Sequence, residues 1–274
     1  MYAFDYENAK ALAEVGAKLG ADPDAKLLAG GMTLLPSMKH RLAAPSRLID
    51  VSGLAEMRGI SSTAANTGSA GGFLTVGAAM RHCEVADSPD VRKAIPALAD
   101  LAGLIGDPQV RARGTLGGSV ANSDPAADYP AAVVGLKAVL VTNRREILAD
   151  DFFLGMFSTA LAPDEILVAV RFAVPRRAAY AKFAQMATGY AMTGVMVADY
   201  GDQVRVAVTG AGPCAFRWQE AETALGSSLG AAALNGLSYP ANDLTADIHA
   251  PAEYRAQLIS VMTLQAVRSL LAGH

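Results

Sequence analysis

Residues 109–128 read QVRARGTLGGSVANSDPAAD, and residues 29–39 read AGGMTLLPSMK. Each stretch sets a glycine pair beside small hydroxyl residues: Gly117-Gly118 with Thr115 and Ser119, and Gly30-Gly31 with Thr33. Glycine lets a backbone turn where a Cβ would clash, and lets a ligand approach the main chain closely. Exposed N–H groups in such turns form concavities that attract anions, phosphate above all. Two such stretches, far apart in one chain, suggest a single diphosphate held from two sides.

The surrounding residues give the first pair a strand-to-helix setting. Lys26 to Ala29 reads as a short strand, and a helix is expected after Thr33, a good N-cap type. Pro36 then falls in the first turn, where its missing N–H is harmless. Upstream, Tyr6 to Leu19 reads as an amphipathic helix, with apolar Ala9, Leu12, Ala13 and Leu19. Strands are expected at Arg47 to Val51, Met57 to Ile60 and Phe73 to Val76, the last two flanking a loose Ser/Ala/Gly loop. Helices are expected at His82 to Asp87, Ile95 to Leu104 and Asp128 to Leu136, and strands at Ala138 to Thr142 and Ile166 to Val174. A boundary falls near Pro175-Arg176-Arg177. Beyond it, strands at Tyr180 to Gln185, Gly194 to Tyr200 and Val204 to Thr209 include a hairpin signal at Gly201-Asp202. Helices follow at Phe216 to Leu225 and Ala252 to Leu271. The expected class is α+β: residues 1–175 as one domain, with subdomains 1–55 and 56–175, then residues 176–274 as a three-stranded antiparallel sheet plus helices.

With 274 residues, 52% hydrophobic and 18% charged, the chain can bury a sizeable core, and disorder is not expected. A net charge of −3 argues against nucleic acid as a partner. Met1-Tyr2-Ala3-Phe4-Asp5 lacks a basic start and an apolar run, and no apolar stretch reaches the length of a membrane span. A cytoplasmic location is therefore expected. Cys83 and Cys214 form neither a metal spacing nor a disulfide framework, and His40, His82, His249 and His274 show no metal spacing.

The residues alone leave several roles open. Gly114 to Ser119 is neither a G-x-G-x-x-G fingerprint nor a P-loop, so loops rather than a Rossmann helix would meet the phosphates. Asp124 and Asp128 could accept hydrogen bonds from ribose or ring donors, or cap the turn and helix that follow them. Arg111 and Arg113 share a face if extended, there to meet phosphate, a partner or solvent. Tyr190 could stack on a planar ring, or belong to core or rim.

Together these segments resemble the FAD-binding medium subunits of the molybdenum hydroxylases, of the carbon monoxide dehydrogenase and xanthine dehydrogenase type. The resemblance covers essentially the whole chain. It rests on Leu27 to Pro36 with Lys39, on Leu48-Ile49-Asp50-Val51, and on Ile105-Gly106-Asp107 with Gln109-Val110-Arg111. It continues through Gly114 to Ser119, Asp124 to Asp128 and Pro163-Asp164-Glu165-Ile166-Leu167. It implies a two-subdomain FAD-binding fold of the vanillyl-alcohol-oxidase type followed by a small α+β domain. Leu28 and the main chain of Ala29, Gly30, Gly31, Met32, Thr33 and Leu34 would hold the pyrophosphate and its sugars from one side. Thr115, Leu116, Gly117, Gly118 and Ser119 would hold them from the other. Asp124 and Asp128 would contact the cofactor, Leu161 would lie against it, and Tyr190 would cover the flavin ring. Two departures stand out. Thr188-Gly189-Tyr190-Ala191 lacks the aspartate that the family often places before the aromatic, and Ala184 occupies the position of a lysine in xanthine dehydrogenases. The second points towards the carbon monoxide dehydrogenase type.

What the resemblance implies for function is electron transfer. Iron–sulfur clusters of the two-iron kind would sit on a small partner and the molybdenum cofactor on a large one, in a dimer of heterotrimers. This chain would hold FAD, pass electrons to an external acceptor, and carry no residue acting on the organic substrate. The shortage of cysteines fits, because such clusters need about four thiolates each. A self-contained flavin oxidase of the same fold and a scaffold subunit that has lost its flavin are the alternatives.

Overall fold

The computed structural model describes residues 1–63 and 71–273. The chain opens with strand β1 (Asp5–Asn8), helix α1 (Leu12–Ala21), strand β2 (Lys26–Leu28), helix α2 (Leu34–Lys39) and strand β3 (Arg47–Asp50). The strands form a parallel sheet in the order β1-β3-β2. The helix expected over residues 6–19 is strand at its start and helical only from Leu12: Asp5 to Asn8 pairs with Arg47 to Asp50, and the Tyr6 hydroxyl donates to Asp50 Oδ2 at 2.8 Å. An edge strand is held by backbone pairing and tolerates polar side chains, so its residues carry no apolar alternation to read. Thr33, expected to cap α2, has helical backbone angles and makes no side-chain cap bond.

The second sheet has the order β4-β5-β10-β6-β7, all antiparallel. Its strands are β4 (Ile60–Thr63), β5 (Phe73–Gly77), β6 (Val139–Thr142), β7 (Glu146–Leu148) and, after the small hairpin β8 (Phe153–Gly155) and β9 (Ser158–Thr159), β10 (Leu167–Ala173). Met57, expected in a strand, ends a single 3₁₀ turn, Ala55–Met57. The Ser/Ala/Gly loop expected before β5 lies largely outside the described residues.

Between β5 and β6 run α3 (His82–Asp87), α4 (Pro89–Ala94), α5 (Pro96–Gly103), α6 (Pro108–Arg111), α7 (Leu116–Asn122) and α8 (Tyr129–Gly135). Proline stands in the first turn of four of them, at Pro89, Pro96, Pro108 and Pro130, which lets short helices follow one another closely. Two of these helices correct the sequence expectations. Asp107 caps α6, accepting from the Val110 N–H at 2.8 Å, so Arg111 and Arg113 do not share a strand face. Leu116 to Ser119 is not loop but the first turn of α7, capped by Thr115, whose Oγ1 accepts the Gly118 N–H at 3.1 Å.

The third sheet has four strands rather than three: β11 (Arg177–Ala184), β12 (Ala191–Asp199), β13 (Val204–Thr209) and β14 (Phe216–Arg217), all antiparallel. Phe216 and Arg217, expected in a helix, pair with Val208 and Ala207, and helix α9 (Gln219–Ser227) starts after them. Helix α10 (Ala252–Ala272) closes the chain. Strand β12 explains how this sheet sits. Val195 and Val197 face a core with Trp218, Ile259 and Val267, while Met196 and Ala198 face the main core with Tyr129, Val133 and Leu136. Alternate residues point to opposite faces, and here both faces are covered, so β12 is apolar along nearly its whole length. Arg205 and Arg217 also reach back to Asp150, at 2.7 and 3.3 Å, tying β13 and β14 to the segment before β8.

Candidate functional site

A cavity of about 840 Å³ opens where the three sheets meet, near the upper end of ligand pockets at roughly 300–1,000 Å³. The β2–α2 turn, the start of α7, residues 124 and 128, the segment around Leu161 and the turn before β12 all line it.

The β2–α2 turn presents donors. Gly31 has φ +71°, which costs glycine little and other residues more. The N–H groups of Gly30, Gly31, Met32, Thr33 and Leu34 meet no acceptor among the described residues. Gly30, Gly31 and Leu34 are half-buried, where N–H groups are ordinarily paired, while Met32 and Thr33 are exposed; five unclaimed N–H groups in a row on residues that line one cavity form a candidate anion-binding surface.

The Gly114–Ser119 segment behaves differently. The N–H groups of Leu116 and Gly117 bond to the carbonyls of Met80 and Ala78 at 2.9 and 2.8 Å. The Gly118 N–H is taken by Thr115 Oγ1 and the Ser119 N–H by the Thr115 carbonyl at 3.0 Å. Its glycines serve close packing. A Cβ on Gly117 would collide with the Ala78 side chain, and one on Gly114 would lie 2.5 Å from His82 Nε2. The two segments touch backbone to backbone: a Cβ on Gly30 would run into the Arg113 carbonyl and lie 2.7 Å from Gly114 Cα.

His82 supports this junction. Its N–H donates to the Gly114 carbonyl at 3.0 Å, its ring lies 5.4 Å from that of Tyr129, and it lines the cavity. Burial, with Arg111 nearby, pushes its imidazole down to about 4, so it is neutral at pH 7. The Arg111 guanidinium donates to the Ile105 and Gly106 carbonyls, both at 3.0 Å, and so holds another cavity-lining turn.

Asp124 Oδ1 accepts the Ala126 N–H at 2.9 Å, a local turn bond of the kind aspartate favours. Asp128 stands at the start of α8 but makes no cap bond. Its carboxylate instead accepts from the Tyr180 hydroxyl at 2.7 Å and from Lys182 Nζ at 2.9 Å, and both charged side chains are only 4% exposed. Lys182 Nζ also donates to the Leu104 carbonyl at 3.0 Å. Burial raises the Asp128 carboxyl above its ordinary value, against the pull of Lys182 and Tyr180. Lys182 contacts the cavity-lining Asp128, and the sequence patterns do not single it out. Lys182 and Tyr180 are two apart on β11 and share a face; a lysine in so apolar a strand was the available signal.

Leu161 lines the cavity within a segment fixed by Glu165. That carboxylate, held down to about 2 chiefly by Arg145, accepts from Arg145 Nε at 2.9 Å, Thr142 Oγ1 at 2.8 Å and the Ala162 N–H at 3.0 Å. Tyr190 sits at the cavity mouth, 47% exposed, after Gly189 at φ +72°. Burial, then Asp124 and Asp128, raises its phenol. The cavity therefore brings together every residue expected to touch the cofactor except Leu116, whose side chain is wholly buried in the main core. A helix start turns that position inward, where a loop would have left it free.

Residues 2–176 match the family described as the FAD binding domain in molybdopterin dehydrogenase. The chain is 35% identical to the carbon monoxide dehydrogenase medium chain of Hydrogenophaga pseudoflava over 98% of this chain and 97% of that one. It is 36% identical to the nicotine 6-hydroxylase medium subunit of Paenarthrobacter nicotinovorans over 88% of each. The solved structure of carbon monoxide dehydrogenase from Hydrogenophaga pseudoflava superposes with a TM-score of 0.85, covering 99% of this chain and 98% of that one. The unclaimed N–H row, the glycine contact at Gly30 and the cavity's size fit an FAD held through its diphosphate. The chain belongs to the FAD-binding medium subunits of the molybdenum hydroxylases, which are subunits of oxidoreductase complexes.

Proposed function

We propose that this chain is the electron-transfer flavoprotein of such a complex. It would take electrons from iron–sulfur clusters on a small partner subunit and deliver them to an external acceptor, while a large partner carries the molybdenum cofactor and the substrate chemistry. A cytoplasmic dimer of heterotrimers is the assembly that goes with this proposal. The observation that carries it is the row of five unclaimed N–H groups from Gly30 to Leu34 facing the cavity.

In this assignment the main chain from Ala29 to Leu34 holds the diphosphate, with Leu28 packed behind it. Thr115, Gly117, Gly118 and Ser119 form the opposite wall, with Leu116 anchoring it from the core. Asp124 and Asp128 face the sugar and ring end, Leu161 packs against the cofactor, and Tyr190 covers the ring from the mouth. FAD, once bound, supplies the redox chemistry; the protein's part is to bind it, exclude water and set its electrostatic surroundings.

The test is purification with the partner subunits and a visible absorption spectrum. An oxidised-flavin spectrum that bleaches on anaerobic addition of the complex's reducing substrate is expected. A complex whose spectrum has no flavin component beyond its iron–sulfur absorption, and that takes up no FAD, contradicts the proposal.

A further inference from the structure

We propose that Tyr180 is a positioning residue of the FAD site: its hydroxyl fixes the Asp128 carboxylate in the cavity wall and so helps set how readily the bound flavin is reduced. The proposal rests on the FAD assignment above. Tyr180 lies outside the domain that the family match covers, since that match ends at residue 176.

Three observations place its hydroxyl. It donates to Asp128 Oδ1 at 2.7 Å. The ring packs at the edge of the main core. Directly beneath lies Gly194, inside β12, where any Cβ would collide with the hydroxyl and lie 2.9 Å from Tyr180 Cζ. Glycine within a strand weakens it and marks a close approach; here the approaching group is the tyrosine head. With Lys182 Nζ 3.1 Å from Oδ2, both carboxylate oxygens have a donor.

Asp128 lines the cavity. Among the described residues Lys182 is the cation that contacts it. The Asp128 charge is also felt by Tyr190 and by neighbouring Tyr129, and Asp124 stands on the same wall. A charge in so dry a site acts strongly on its surroundings. Without the Tyr180 donor, Oδ1 keeps only Lys182 Nζ, at 2.9 Å, and the carboxylate's negative charge is less compensated. Reduction adds electrons to the ring, so that field disfavours it. Tyr180→Phe is therefore expected to shift the flavin towards its oxidised form.

The experiment is a spectroelectrochemical titration of the flavin in the intact complex bearing Y180F, D128N or both. Y180F should lower the ratio of reduced to oxidised flavin at a fixed potential about tenfold, equivalent to ~30 mV for a two-electron couple. D128N should move the ratio the opposite way. The double variant should match D128N, because Tyr180 then has no carboxylate to act through. A Y180F shift that persists in the D128N background, or no shift at all, overturns the proposal. Should Y180F lose its flavin, Gly194→Ala, which crowds the same hydroxyl, carries the same cycle; loss of flavin from both variants in a folded complex also overturns the proposal. An unaltered complex without flavin absorption would instead contradict the FAD assignment itself.

Discussion

The two glycine stretches look alike as sequence and do opposite work in the fold. Gly30 to Leu34, which line the cavity, leave their N–H groups unclaimed among the described residues, whereas Leu116 to Ser119 spends all four on Met80, Ala78 and Thr115. The first is a donor surface; the second is a wall built to stand close to it. A glycine needed for a ligand and one needed for packing carry the same letter, and only the neighbours separate them.

That contrast can be broken at four points. The largest effect is expected at Gly30, where both functions meet. Gly30→Ala puts a Cβ into the Arg113 carbonyl, which is backbone and cannot rotate away. The two stretches must part, and FAD affinity should fall at least about a hundredfold, ~2.8 kcal/mol, measured by fluorescence titration of the apoprotein.

Acid should weaken the fold through the His82 junction beside the second stretch. His82 is held neutral down to about 4 against an ordinary 6.5, so below 6.5 the unfolded chain gains a proton that the folded chain refuses. Stability is then lost progressively from about pH 6.5 to about pH 4, by roughly 3 kcal/mol in all. Denaturant melts at several pH values should show that slope, and His82→Gln should flatten it.

Gly117→Ala drives a methyl into Ala78 in the core and should cost about 1–3 kcal/mol of stability through overpacking. The FAD affinity of the molecules that remain folded should change far less than in Gly30→Ala. Smallest is Gly118→Ala, whose Cβ meets only Thr115 Oγ1, at 2.8 Å. Turning that hydroxyl aside forfeits a cap bond, a loss of about 1 kcal/mol visible in thermal melts.

Sequence patterns were enough to find the strand running into Gly30, the β12–β13 hairpin at Gly201-Asp202 and the long apolar strand β10, because each carries its own periodicity or turn chemistry. They missed β1, whose polar residues pair as an edge, and left α6 unassigned, although Asp107-Pro108 is a helix start. The walls of the cavity were legible in their small residues. The Tyr180–Asp128–Lys182 cluster was not, since Asp128 lies more than fifty residues from the other two and meets them only when the third sheet closes over α8. Nor could sequence tell that the N–H groups after Thr115 are already taken, which is a matter of how the start of α7 meets Ala78 and Met80, just after β5.

Amide hydrogen exchange, with and without FAD, tests the division of labour most directly. Gly30 to Leu34 should exchange quickly in the apoprotein and become protected when FAD binds, while Leu116 to Ser119 should be protected in both states. Protection gained at Leu116 to Ser119 with none at Gly30 to Leu34 would contradict it.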